Sequence, residues 1–339
     1  MRLARSSTSR YNTASSISPL VLVLVGPTAS GKTALLDQVF GSSCARQAMG
    51  FPEAEVISAD SMQVYKGMDI GTAKPDAALR SRLPHRLIDI LDIDCQYTVG
   101  DFVRLADEAC AQIASRGALP VLSGGTGFYV RNFICGLASA PIADPETRAA
   151  VARDLARRGA AALREELAVA DPESAARIHE NDLYRLSRAL EITRSTGRPM
   201  SDFAAGTEPR PGYRFAVFGL APERAELARR IGARVDAMFA AGLPAEVAAL
   251  RAAGRGRGDP GMKAIGYREF LETEGTAEGD VPAGDLSAIA ERIKLDTRRY
   301  AKRQMTFFRP LPGIEWIGPD PRLFAARVAA SVHADASSV

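Results

Sequence analysis

Cysteine is scarce in this 339-residue chain, and the four present (Cys44, Cys95, Cys110, Cys135) form no C-x-x-C pair and no zinc-ligand spacing. That excludes a disulfide-stapled secreted fold and a structural zinc module, and predicts reduced thiols in a cytoplasmic protein. No apolar run reaches the roughly 18 residues of a helical membrane span, so no membrane partner is expected. Charge of one sign is also missing. The net charge is +3, so any nucleic-acid surface has to be a local patch. Lysine is rare beside arginine, with Lys32, Lys66, Lys74, Lys263, Lys294 and Lys302 the only six. The first eighteen residues, "MRLARSSTSRYNTASSIS", have no acid. They read as a disordered tail, with a transit segment or an over-extended start as alternatives. No internal repeat is visible.

What is present is an ordinary globular composition, 46% hydrophobic and 24% charged, in a length that suits two or three domains. "LVLVLV" (20–25) is a short continuous apolar run, as in a strand buried on both faces. Further strands are expected at 54–59, 85–91, 118–124 and 214–221. Helical periodicity separates them: over 98–115, Phe102, Leu105, Ala109 and Ile113 share one face. Strands alternating with helices predict an α/β fold, a parallel-sheet core of P-loop type flanked by helices. Between 140 and 210 strand signals vanish, which predicts a helical insertion. Gly197 and Pro199 close its second long helix. From 222 onward the chain is mostly helical, with a flexible break at 255–261. The resulting division is a tail (1–18), a first core part (19–139), the insertion (140–210), the core completion with C-terminal helices (211–320) and a C-terminal tail (321–339).

Four stretches carry chemistry. "GPTASGKT", comprising Gly26, Pro27, Thr28, Ala29, Ser30, Gly31, Lys32 and Thr33, has phosphate-loop spacing between a strand and a helix. Backbone N–H groups and the helix N-terminus would cradle phosphate, Lys32 would reach the terminal one and Thr33 would hold Mg2+. The cradle alone does not say what the phosphate is attached to. In "ISADSMQVYKGMDIGTAKP" (57–75), Asp60 ends a strand on the crevice side of the sheet. Three roles stay open to it: a general base, a magnesium ligand, or a cap for the next turn. In "SGGTGFYVR" (123–131), the paired glycines let backbone approach a ligand, while Thr126 caps the following helix. The stretch 291–309 is basic, and Lys294, Arg298 and Lys302 make one helical stripe. Arg299, Arg303, Tyr300 and Phe307 stand near it, suited either to a phosphate backbone or to a solvated face.

The motifs "GPTASGKT", "ISADSMQVYKGMDIGTAKP", "GGTGFYVR", "HENDLYRLSRALEI", "AIGYRE" and "TRRYAKRQMTFFR" occur in that order. Together they resemble the bacterial tRNA dimethylallyltransferase (tRNA isopentenyltransferase) family over residues 20 to 317. The resemblance implies transfer of a dimethylallyl group from dimethylallyl diphosphate to N6 of the adenosine 3′ of the anticodon. Pyrophosphate leaves, with Mg2+ as cofactor. The cradle then holds the prenyl diphosphate rather than a nucleotide. Asp60 corresponds to the base, Thr126 to a catalytic threonine and Arg148 to an arginine needed for activity, while Lys32 of the cradle, aimed at the leaving pyrophosphate, is the further catalytic group. The resemblance assigns tRNA contact to Asp60, Ser61, Met62 and Gln63, and to Tyr184, Arg185, Leu186, Ser187 and Arg188. Lys263, Tyr267, Arg268, Lys294, Arg298 and Lys302 complete the expected RNA surface. The insertion matches the clamp on the anticodon stem-loop, and the protein is expected to be a monomer. Departures are His85 followed by Arg86 where many members have two histidines, and "FFR" in place of "WFR". The competing functions are a P-loop nucleoside or nucleotide kinase and a non-enzymatic RNA-binding P-loop switch.

Overall fold

The computed structural model describes residues 18–48, 53–203, 206–272 and 286–333. Of the expected N-terminal tail, residues 1–17 lie outside the described residues.

β1 (Leu20–Val25) is the centre of the molecule because its side chains alternate between two apolar faces. Val21, Val23 and Val25 enter one core, and Leu22 and Leu24 the other. Burying each such side chain contributes about 1.5–3 kcal/mol. The phosphate loop leads into α1 (Lys32–Phe40), then α2 (Ser43–Ala48). β2 (Ala54–Ser58), α3 (Ala77–Arg82) and β3 (His85–Arg86) follow. α4 (Val99–Ser115) starts at a capping box of Thr98 and Asp101. β4 (Leu119–Gly124) and α5 (Gly127–Cys135) complete the first half of the core.

Three helices come next: α6 (Pro145–Ala170), α7 (Pro172–Arg177) and α8 (Leu183–Thr196), with Gly197 as the left-handed C-cap of α8. α6 is broken at Gly159, where φ is 78° and ψ is 168°. Arg194 of α8 spans the break, bonding Asp154 at 2.9 Å on one side and Glu166 at 2.6 Å on the other. These helices enclose a small core of their own around Val151, Leu163, Leu167, Leu186 and Leu190.

β5 (Arg214–Leu220) returns the chain to the sheet. It leads to α9 (Arg224–Ala240), α10 (Leu243–Ala252), α11 (Arg268–Glu272) and α12 (Leu286–Phe308). β6 (Glu315–Ile317) and α13 (Pro321–His333) end it. The sheet order is β3-β2-β4-β1-β5-β6, and every pairing is parallel. α4, α5, α9 and α12 cover one face, and α1, α3 and α13 the other. The expected α/β architecture is therefore what forms, with the loops after β1, β2 and β4 meeting at one edge.

Three expectations need correction. The strand expected at 85–91 forms a ladder only at His85 and Arg86, with Leu91 making an isolated parallel bridge to Tyr65. Leu87 and Asp89 then take positive φ of 64° and 57°, and the chain turns. Asp89 tolerates that conformation and is held there by Lys74 at 2.6 Å and Arg80 at 2.9 Å. The expected tail at 321–339 contains α13, whose Phe324 packs edge-on to Phe40 and Phe218 and closes the second core. The break at 255–261 forms turns tied by Arg255 to Asp94 at 2.7 Å and by the Gly256 N–H to Asp259 at 2.8 Å. All four cysteines are unpaired.

Candidate active site

The cradle needs glycine for contact reasons. A Cβ on Gly26 would stand 2.8 Å from Ser30 Oγ and 3.0 Å from the Leu220 carbonyl. Gly31, at φ 96°, turns the loop into α1. The Lys32 ammonium donates to the carbonyls of Gly26 at 2.7 Å and Pro27 at 3.1 Å. Burial in the cradle pulls its pKa down to about 7, the Arg234 guanidinium lowers it further, and the Asp60 charge opposes both. Arg234 comes from α9 and bonds Thr28 Oγ1 at 3.4 Å. Its own pKa is lowered by burial and supported by Asp60. Two cations thus face one small space, a layout that favours an anion. Arg234 escaped the sequence reading because it sits in an ordinary amphipathic helix two hundred residues from the loop.

Asp60 stands two residues beyond β2. Its Oδ1 accepts the N–H of Met62 at 2.8 Å and of Gln63 at 3.2 Å. It therefore does cap the next turn, with one oxygen only. Thr126 occupies the helix N-cap position but makes no capping bond, contrary to expectation. Its Oγ1 instead accepts the Ser61 N–H at 3.0 Å, so it joins the Asp60 turn to the Gly124–Thr126 turn. Gly124 is required there, because a Cβ would meet the Ala59 backbone; a Cβ on Gly125 would press on Gln304 Nε2 and displace that amide. Tyr300 of α12 reaches the Gly125 carbonyl at 3.4 Å. Burial, then the Asp60 charge, push its phenol up to about 12, so it is a donor at neutral pH.

Two cavities meet here. One, of about 110 Å³, is polar, with Lys32, Thr33, Ser58, Asp60 and Ser123 among its walls. The other, of about 280 Å³, has an apolar side made by Ile231, Val235, Met238, Ile265 and Ile293, with Lys263, Arg268 and Arg303 also on its walls. They share Thr28, Asp60, Thr72, Arg234 and Tyr300. A polar phosphate-sized space thus opens beside an apolar one, with a carboxylate at the junction.

The expected RNA-contacting residues divide. Ser61 and Met62 line the apolar cavity, as do Lys263 and Arg268. Tyr184 is 81% exposed, and Ser187 is half-buried on the same helix. Arg185 pairs with Asp182 at its helix start, and Arg188 donates to the Pro141 carbonyl at 3.1 Å. Arg298 and Lys302 are exposed on α12.

Others do different work. Leu186 is 1% exposed in the insertion core. Tyr267 is fully buried, its hydroxyl donating to Glu246 at 2.5 Å and accepting the Gly71 N–H at 3.1 Å. Gln63 spends its amide on the carbonyls of Thr72 and Ala73 and on Ser58. Lys294 is engaged by Asp236 at 2.6 Å and Glu291 at 2.9 Å, which removes it from the stripe. Arg148 is exposed in the first turn of α6 and lines neither cavity. Glu246 was not anticipated: its carboxylate accepts the N–H groups of Asp69, Ile70 and Gly71 and so fixes the wall at 69–71.

The family model described as IPP transferase matches residues 63–310. A tRNA dimethylallyltransferase of Geobacter sulfurreducens is 44% identical over 302 residues, covering 88% of this chain and 91% of the relative. One from Anaeromyxobacter dehalogenans is 44% identical, covering 91% and 98%. Among solved structures, the full-length tRNA isopentenylpyrophosphate transferase of Bacillus halodurans is 35% identical with a TM-score of 0.66, covering 95% of this chain and 99% of that one. A eukaryotic dimethylallyltransferase acting on tRNA is 26% identical with a TM-score of 0.75, covering 95% and 80%. On a family match across most of the chain and relatives this similar over nearly their whole length, the chain belongs to the tRNA dimethylallyltransferase (IPP transferase) family.

Proposed function

We infer that the protein transfers a dimethylallyl group from dimethylallyl diphosphate to N6 of the adenosine 3′ of the anticodon in tRNA. The observation that carries this reading is the junction of the two cavities at Asp60. A kinase needs a hydrophilic acceptor site beside its cradle. Here the neighbouring cavity has an aliphatic side, made by Ile231, Val235, Met238, Ile265 and Ile293, that suits a five-carbon alkyl group and the face of a base, and a basic side with Lys263 and Arg268.

In this reading the diphosphate lies against the loop N–H groups, Lys32 and Arg234. These groups are aimed at the charge that develops as the carbon–oxygen bond breaks. The adenine leaves its stack to enter the cavity, and N6 attacks the allylic carbon. The bond electrons depart with pyrophosphate. Asp60, whose Oδ1 is already held by two backbone N–H groups, takes the N6 proton on its other oxygen. Thr126 keeps the two turns in register through Ser61.

Magnesium fits the oxygen donors of the polar cavity, where Thr33 would hold it together with the diphosphate. Bound there, it would neutralise leaving-group charge. The helices α6–α8, with Tyr184, Arg185 and Arg188 on α8, serve as the clamp on the anticodon stem-loop. Arg298, Lys302 and Lys263 meet the phosphate backbone. A cytoplasmic monomer completes the picture, and no described helix is long and apolar enough to cross a membrane.

The test is labelled dimethylallyl diphosphate with unmodified tRNA, run beside labelled ATP with nucleosides. Label in the tRNA is expected. Label passing only from ATP would overturn the reading in favour of a kinase.

A further inference from the structure

Gln304 is 3% exposed, in a helix whose neighbouring turns face outward with Arg298 and Lys302. Such a residue is usually apolar. Here both ends of the amide are engaged: Oε1 accepts the Thr28 N–H at 2.8 Å, and Nε2 donates to the Gly125 carbonyl at 2.7 Å. The first partner belongs to the loop after β1, the second to the turn after β4. These strands are neighbours, but each loop leaves the sheet alone. Among the described residues, this amide is the one side chain hydrogen-bonded to both. Gly125 leaves room for it, since a Cβ there would press on Nε2 and displace the amide.

We propose that Gln304 is a positioning residue for prenyl transfer, its single buried amide setting the spacing between the diphosphate cradle and the turn that carries Thr126. The proposal rests on the cradle being the donor site. Gln304 reaches the polar cavity, yet with both ends of its amide engaged it acts through Thr28 and Gly125. A displacement of about 1 Å between groups that must converge can cost about 100-fold in rate.

Four variants test it: Gln304→Ala, Gly125→Ala, the two combined, and the isosteric Gln304→Glu. The readouts are kcat and KM for dimethylallyl diphosphate, calorimetric binding of inorganic pyrophosphate without RNA, and the Kd for tRNA. Gln304→Ala is expected to lower kcat by about 10- to 100-fold and to weaken pyrophosphate binding, leaving the tRNA Kd within about twofold. Gly125→Ala should do the same, and the combination should be no worse than the poorer single variant, because Gln304→Ala already removes the amide that the new Cβ would displace. Gln304→Glu can accept from Thr28 but can donate to Gly125 only when its carboxyl is protonated. Its activity, relative to the parent protein, should therefore recover as pH falls, which loss of packing alone would not produce. If Gln304→Ala fails to fold, this profile decides. Unchanged kinetics in Gln304→Ala, multiplying effects in the combination, or no acid-side recovery in Gln304→Glu would overturn the proposal. Parent protein that binds no pyrophosphate would instead overturn the cradle assignment beneath it.

Discussion

Asp60→Asn separates the roles that its position allows. The amide oxygen can take over the bonds from the Met62 and Gln63 N–H groups at 2.8 and 3.2 Å, so the turn should persist and the fold with it. The negative charge and the proton acceptor are lost. Two effects of different size follow. As a general base, Asp60 is expected to contribute about 10²–10⁴-fold in rate. Its charge also supports the ammonium of Lys32, whose pKa is already about 7. Without the Asp60 charge it would be depressed further, and each unit of depression cuts the charged fraction at neutral pH by up to about tenfold. The second effect acts on donor binding and on leaving-group charge alike, and it shrinks as pH falls and Lys32 regains its proton. The assay is single-turnover transfer by the Asn variant at saturating dimethylallyl diphosphate, at pH 6 to 8, across a Mg2+ titration. The expected result is a deficit of about 10²–10⁴-fold that neither low pH nor Mg2+ repairs. Recovery at high Mg2+ would refute the base role in favour of a metal ligand. Recovery at pH 6 alone would reduce Asp60 to a support for Lys32.

Lys32→Ala should lose most transfer in a prenylation assay while a filter-binding Kd for tRNA stays near that of the parent. Because the free-enzyme pKa of Lys32 is depressed and bound diphosphate favours its charged form, donor affinity should fall as pH rises through about 7. Calorimetry in buffers of different ionisation enthalpy should then detect proton uptake on binding above that pH. Changing Arg298 and Lys302 together to Ala should flatten the log–log salt dependence of tRNA binding by about 1.5. Lys294→Ala should leave that slope nearly unchanged, because Asp236 and Glu291 already hold the ammonium. Leu186→Ala, which opens a cavity in the insertion core, should cost about 2–5 kcal/mol in denaturant unfolding of that unit.

The local patterns in the chain were enough for much of this protein. Alternating valine and leucine before a glycine-rich loop sets a doubly buried strand running into a phosphate cradle, since both signals lie within about fifteen residues and depend on backbone geometry. The same holds for the capped helix at 98–115 and the strand-free stretch between 140 and 210. Short elements carried no such signal. β6 has three residues, too few to show a period, and β3 stops where ion pairs to Asp89 make a left-handed turn tolerable.

Pairings across long sequence separations belonged to the tertiary structure. Arg234 and Gln304 lie 206 and 276 residues from Thr28, which both contact. Nothing in the amphipathic period of either helix distinguishes them from neighbours that face solvent or core. The same limit explains Tyr267, Leu186 and Lys294. Their motifs suggest an RNA surface, but burial and ion pairing are fixed by what packs opposite, and a helix or turn does not encode its own partner. Sequence alone determined which chemistry was available at Lys32, Asp60 and Thr126. The packing of α9 and α12 against the sheet edge decided which groups surround it, because charge, exposure and pKa depend on neighbours in space.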